Sequence, residues 1–288
     1  MTLTADAPIG APAAEAVMAR VRGENFPVAS RVLPRRRRGD LLALYGFARL
    51  LDELGDSYDG DRVEALDWLE AELDRAFEGH ARHPLMVALQ PTLREHALAR
   101  EPFVRLIEAN RLDQHVSRYR SWEQLRGYCA LSADPVGELV LAVFGVATPE
   151  RIALSNSICT ALQLLEHCQD VVEDLARGRV YLPAEDLERF GCPVEDLASA
   201  NATSALRATV AFEVARARAL LSDGAPLIDT LRGRARVAVA AFVAGGRSGL
   251  DAIERAGYDV LAGAPPVSRT RRAWALMATL LERRGRAA

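Results

Sequence analysis

Residues Ala161–Pro183 read ALQLLEHCQDVVEDLARGRVYLP. Gln163, Glu166, Asp170 and Asp174 follow one another at steps of three, four and four. On a helix that spacing puts all four on one stripe, because side chains three or four residues apart share a face. Leu162, Leu165, Val171 and Val172 occupy the other faces and suit packing. The reading predicts one helix through Asp174, closed by a stiff extended run over Gly178–Pro183, where Pro183 disfavours helix in the residue before it. Three carboxylates in a row, with Glu173 beside them, repel unless something positive fills the groove. A divalent cation does so, and Arg177 and Arg179 follow close enough to meet phosphate oxygens.

A second stripe lies far upstream. In LYGFARLLDELGD (Leu44–Asp56), Tyr45, Arg49, Asp52 and Asp56 are spaced four, three and four. Asp40 is read as the N-cap of a helix that starts at Leu41. Two carboxylates at i and i+4 repel, and Mg2+ resolves the conflict by taking a few carboxylate oxygens together with phosphate and water. A lone DxxxD on a helix reads equally well as a solvated face with Arg49 paired to Asp52. Two stripes on separate helices predict more: facing helices that grip a diphosphate through metal ions, with no glycine-rich phosphate loop.

The rest of the chain supports a helical bundle. The period is helical almost everywhere, as at Phe103, Leu106, Ala109, Leu112 and Val116. No alternating strand pattern is convincing. Pro and Gly punctuate the chain at Pro34, Gly60, His83-Pro84, Pro102, Asp134-Pro135, Pro183 and Gly263–Pro266, which gives about ten helices in an all-α bundle. Residues 1–12, rich in Ala, Pro, Thr and Gly, are expected to be a disordered tail, with one domain over 13–288.

Composition excludes several classes. The 288 residues are half apolar, enough for a sizeable core, and the net charge of -3 argues against nucleic acid as a partner. Every basic residue is arginine. Cys129, Cys159, Cys168 and Cys192 form no CxxC pair and are expected to be reduced thiols in a cytosolic protein. No signal peptide is indicated, and apolar runs fall short of a membrane span. His80, His83, His96, His115 and His167 show no zinc-binding spacing and are read as structural. The Arg35–Arg38 run is read as capping the cleft or simply solvated, with weak contact to a membrane surface left open.

These blocks together resemble the head-to-head prenyl synthases, the squalene, dehydrosqualene and phytoene synthases. The resemblance runs from about Glu24 to Leu281. It is carried by ENFPVASRVLP (Glu24–Pro34), Leu44–Asp56, LIEANRLDQHVSRYRSWEQLRGYC (Leu106–Cys129), SADPVG (Ser132–Gly137), Ala161–Pro183 and AIERAGYDVL (Ala252–Leu261). It implies a class I isoprenoid synthase bundle with a central cavity. It implies Mg2+ as cofactor, held by Asp52, Asp56, Asp170 and Asp174. Arg49, Gln163, Arg179 and Tyr181 are similar to diphosphate-side residues of the family, and Tyr128 to a tyrosine facing the reacting carbons. Tyr45 and Tyr128 are the rings expected to face passing positive charge.

Two positions depart from the family pattern. Glu166 stands where the family has an asparagine metal ligand, and Gln169 replaces an arginine. With ENFPVASR and the proline of SADPVG, they resemble the branch that makes hydroxysqualene in hopanoid biosynthesis. That branch ionises presqualene diphosphate and adds water. No strand–GxGxxG–helix element is present, and no nicotinamide cofactor is expected. The expected partner is an isoprenyl diphosphate, with transient contact to a membrane surface and to neighbouring pathway enzymes. Two alternatives stand beside this reading. One is an enzyme condensing two farnesyl or geranylgeranyl diphosphates to presqualene diphosphate or phytoene. The other is a non-catalytic binding or assembly protein, which would show eroded acidic stripes.

Overall fold

The structure is a computed structural model that describes residues 7–8, 10–19, 34–263, 275–280 and 283. Most of the expected N-terminal tail, the ENFPVASRVLP block before Pro34 and the Ala264–Pro266 turn lie outside the described residues. The helices are α1 (Ala14–Ala19), α2 (Arg35–Asp52), α3 (Arg62–Glu78), α4 (Pro84–Glu95), α5 (Glu101–Leu112), α6 (Trp122–Ser132) and α7 (Asp134–Val143). They continue with α8 (Pro149–Gln169), α9 (Val171–Ala176), α10 (Ala184–Arg189), α11 (Ser204–Gly224), α12 (Leu227–Thr230) and α13 (Gly233–Arg255). A π-helical turn spans Glu53–Ser57 and a 3-10 turn Val194–Ala198. Among the described residues the one extended pairing outside the helices is an isolated bridge between Arg118 and Val180.

Local chemistry sets the helix starts. Side-chain oxygens of Asp61, Ser121, Thr148 and Thr203 accept from backbone N–H groups of Glu64, Gln124, Arg151 and Leu206. Each satisfies a donor that the first helical turn cannot. Pro84, Pro102 and Pro149 sit in first turns, where the missing N–H is not needed. The predicted start at Leu41 is corrected. Pro34 precedes the first turn, α2 begins at Arg35, and Asp40 is buried inside the helix. There Asp40 accepts from Thr92 Oγ1 at 3.3 Å and lies 3.1 Å from His96 Nε2, so its carboxylate joins α2 to α4 instead of capping.

Chain contacts cluster into two compact units, residues 1–115 with 138–147, and residues 116–137 with 148–288. The first is built on leucine. Leu50, Leu54, Leu66, Leu69, Leu73, Met86, Leu89 and Ile107 are fully buried, each worth roughly 1.5–3 kcal/mol by removal from water. Phe103 meets Phe47 edge-on at 5.1 Å and Phe77 at 6.0 Å.

In the second unit α8 packs along α11 and α13. Small residues allow the approach: a side chain at Gly246 would run into Leu162 and Leu221, and one at Gly249 into Leu165. Asp134, 2 % exposed, is held by Thr160 Oγ1 at 3.0 Å and Arg126 at 3.0 Å. All four cysteines are free thiols. No helix among the described residues is long and apolar enough to cross a membrane.

Candidate functional site

In the first unit, Tyr45 and Arg49 project from α2, Asp52 ends it, and Asp56 lies in the π turn. All four are partly exposed. In an α-helix a four-residue step overshoots one turn by about 40°. The wider π turn reduces that offset between Asp52 and Asp56, and such turns recur at functional sites. The turn is supported from α5 and its end. Gln114 Nε2 donates to the Gly55 carbonyl at 3.0 Å, and Asn110 packs so close to Gly55 that no side chain fits there. Arg49 leans toward Glu53 (3.1 Å) more than toward Asp52 (3.9 Å). Its Nε is buried and meets no partner among the described residues. Glu53, one helical turn after Arg49, was not singled out by the sequence reading.

In the second unit the expected unbroken helix through Asp174 is corrected. Helix α8 ends at Gln169, and Asp170, at φ -101° and ψ 15°, separates it from α9. This sparsely populated backbone region is common among active-site residues. The i to i-4 pattern survives the break, since Asp170 N donates to Glu166 O (2.9 Å) and Asp174 N to Asp170 O (2.8 Å). Glu166 and Asp170 are exposed, Gln163 and Gln169 half-buried, and Asp174 is buried. Partial desolvation by the surrounding chain, then the neighbouring Glu173 charge, raises the Asp170 carboxyl above its ordinary pKa, against the pull of Arg177. A nearby cation would relieve that conflict.

The extended run after α9 is as predicted. Arg179 N donates to Asp174 O at 2.9 Å, Val180 N to Ser117 O at 2.8 Å, and Ala184 N to Tyr119 O at 2.9 Å. These bonds bring Tyr181 onto a buried ring cluster. Tyr181 stacks on His167 with centroids 4.0 Å apart and planes at 12°. It lies 5.4 Å from Tyr128 and 5.9 Å from Tyr119, while Tyr119 and Tyr128 are 5.3 Å apart. Arg179 is buried beside this segment. Tyr119 and His167 were missed as members of the cluster. The signal was present only as an aromatic residue two positions after Ser117 and an imidazole one step from Glu166.

The two stripes offer carboxylate oxygens and no thiolate or imidazole, a donor set that suits Mg2+ better than zinc. In the second unit the crowding at Asp170 fits a cation, and in the first unit the buried Arg49 Nε, which meets no partner among the described residues, fits an anion. Another set of three potential ligands, Asp40, Glu95 and His96, has its atoms within 4.8 Å of one another. It contains none of the predicted metal residues. Arg36 pairs with Glu95 at 2.8 Å and Arg37 lies against the His96 ring, so guanidinium groups already supply its positive charge.

Comparison with known proteins identifies the family. The sequence profile of squalene/phytoene synthases matches residues 19–272. The chain is 39 % identical to the hydroxysqualene synthase of Rhodopseudomonas palustris over 73 % of its own length and 72 % of the relative's. It is 32 % identical to the phytoene synthase of Arthrospira platensis, covering 82 % of each. Among solved structures, squalene synthase HpnC from Alicyclobacillus acidocaldarius is 46 % identical with a TM-score of 0.77, covering 84 % of this chain and 92 % of that one. A dehydrosqualene synthase in complex with ligand has a TM-score of 0.84 at 23 % identity, over 93 % and 95 % of the two chains, a likeness of fold alone.

Proposed function

Because the chain belongs to the squalene/phytoene synthase family, we propose that it is a hydroxysqualene synthase, converting presqualene diphosphate and water to hydroxysqualene and diphosphate. Membership makes it an all-helical enzyme of prenyltransferase type. The observation that carries the finer reading is the pairing, within the second unit, of a carboxylate stripe along α8 and α9 with a buried cluster of rings reached from the same segments. Ionising a cyclopropylcarbinyl diphosphate creates an anion and a cation at once. The stripe suits the first and the rings suit the second.

In this reading Asp52, Asp56, Glu166, Asp170 and Asp174 hold Mg2+. When bound, the ion supplies Lewis-acid stabilisation of the departing diphosphate. Arg49 offers its unpartnered Nε to a phosphate oxygen, and Arg179, with Gln163, adds polar contact on the diphosphate side. Tyr128 and Tyr181 present ring faces to the cation, worth roughly 1–2 kcal/mol where water is excluded. Tyr45 serves the same purpose on the first stripe. The overall change adds water and needs no hydride, so no nicotinamide is required.

The test supplies presqualene diphosphate and Mg2+ without nicotinamide and identifies the product by mass spectrometry. Hydroxysqualene is expected, and Asp52→Asn and Asp170→Asn should each lower the rate by at least about 100-fold, the scale for losing charge stabilisation at a transition state. Condensation of farnesyl or geranylgeranyl diphosphate, with no turnover of presqualene diphosphate, would move the chain to the condensing synthases.

A further inference from the structure

A water-quenched cation needs one polar atom in a site that must otherwise be apolar. Among the described residues several buried polar atoms meet no hydrogen-bond partner, including His83 Nδ1, Asn156 Oδ1, Glu213 Oε2, Ser248 Oγ and His167 Nε2. Of these, His167 belongs to the ring cluster that contains Tyr128 and Tyr181, where the Tyr119 hydroxyl is buried as well. His83 instead meets Trp68 edge-on, and Glu213 belongs to an ion-paired group with Arg216. We infer that His167 Nε2 holds the quenching water, fixing it within the cluster of Tyr119, Tyr128 and Tyr181.

The inference rests on the hydroxysqualene reading. Its geometric basis is the stacked His167–Tyr181 pair at 4.0 Å, with Tyr128 at 6.2 Å, and a ring nitrogen sealed from solvent with His167 only 6 % exposed. Burying a donor or acceptor without a partner is unfavourable, and an orphan of this kind in a native fold calls for an occupant such as a bound water. The water's oxygen lone pair forms the new C–O bond. The oxonium that results loses its proton to the released diphosphate, a stronger base, and His167 ends as it began. Its part is to position the water.

Two variants separate positioning from packing. His167→Phe keeps the stacked ring and removes the nitrogen. His167→Asn keeps a hydrogen-bonding group and loses the ring. Both are scored as hydroxysqualene formed per diphosphate released from presqualene diphosphate, a ratio that only folded, turning-over enzyme contributes to. The expected result for His167→Phe is a fall of about tenfold in that ratio, the loss of one hydrogen bond at the transition state, with hydrocarbon from proton loss taking its place. His167→Asn should retain more of the hydroxylated product than His167→Phe. An unchanged ratio in His167→Phe, or the reverse ranking, overturns the assignment while the functional reading stands. A native enzyme that makes no hydroxysqualene overturns both.

Discussion

Arg216 faces two buried carboxylates with one charge. Its Nη1 lies 2.6 Å from Glu213 and 2.8 Å from Asp186, and its guanidinium sits over the rings of Trp122 and Phe212. One cation cannot balance two anions in a dry setting, so one carboxyl keeps its proton. Burial first, and Asp186 beside it, push Glu213 from 4.5 up to about 8, against the pull of Arg216. The folded chain therefore binds one proton more than the unfolded chain between those values. Stability from this group is full below 4.5, falls as pH rises through that window and is gone above about 8. Calorimetric melting at pH 6 and pH 9 should show that fall in the native chain. Glu213→Gln, neutral at every pH, should flatten it by on the order of 2 kcal/mol, the discount reflecting the shared proton. An equal decline in both proteins would mean that Glu213 is ionised throughout. None of this was legible in the sequence, where nothing marks Asp186 as a neighbour of the Glu213–Arg216 pair thirty residues on.

At the scale of elements, the DxxxD spacing was legible but the π turn that shapes it was not. The period predicts a helix through Asp52 and Asp56. The widening depends on Asn110 and Gln114, more than fifty residues away, which close on Gly55. The same limit explains the break at Asp170 and the misplaced cap at Asp40, where tertiary partners outweighed local preference. The atoms nearest to a side chain at Gly55 all belong to the Asn110 side chain, which gives a specific test. Gly55→Ala should destabilise by about 1–3 kcal/mol through overpacking. Adding Asn110→Ala removes the colliding atoms and should recover part of that loss, a coupling measurable by denaturant unfolding of the two single variants and the double. Additive losses would show that the turn, and not Asn110, is what excludes a side chain at Gly55.

At the scale of the whole chain, the family was legible because its markers recur as separate blocks in order, from the first acidic pair to AIERAGYDVL. The buried ring cluster was only half legible: Tyr128 and Tyr181 stood out by resemblance, whereas Tyr119 and His167 joined them through the bridge at Arg118 and Val180. The proposal that both aspartate pairs hold Mg2+ has a consequence that needs no catalysis. Anything that binds the folded chain alone stabilises it, by about 2.7 kcal/mol at a hundredfold excess over the dissociation constant. For a chain of this size, Mg2+ with inorganic diphosphate should then raise the melting temperature by about 5 °C, and neither component alone should do as much. If the two pairs act on the same group, Asp52→Asn or Asp170→Asn should each abolish most of the gain, and the double variant should lose little more. Two independent ion sites would give a different pattern, in which each single variant keeps about half the gain and the losses add.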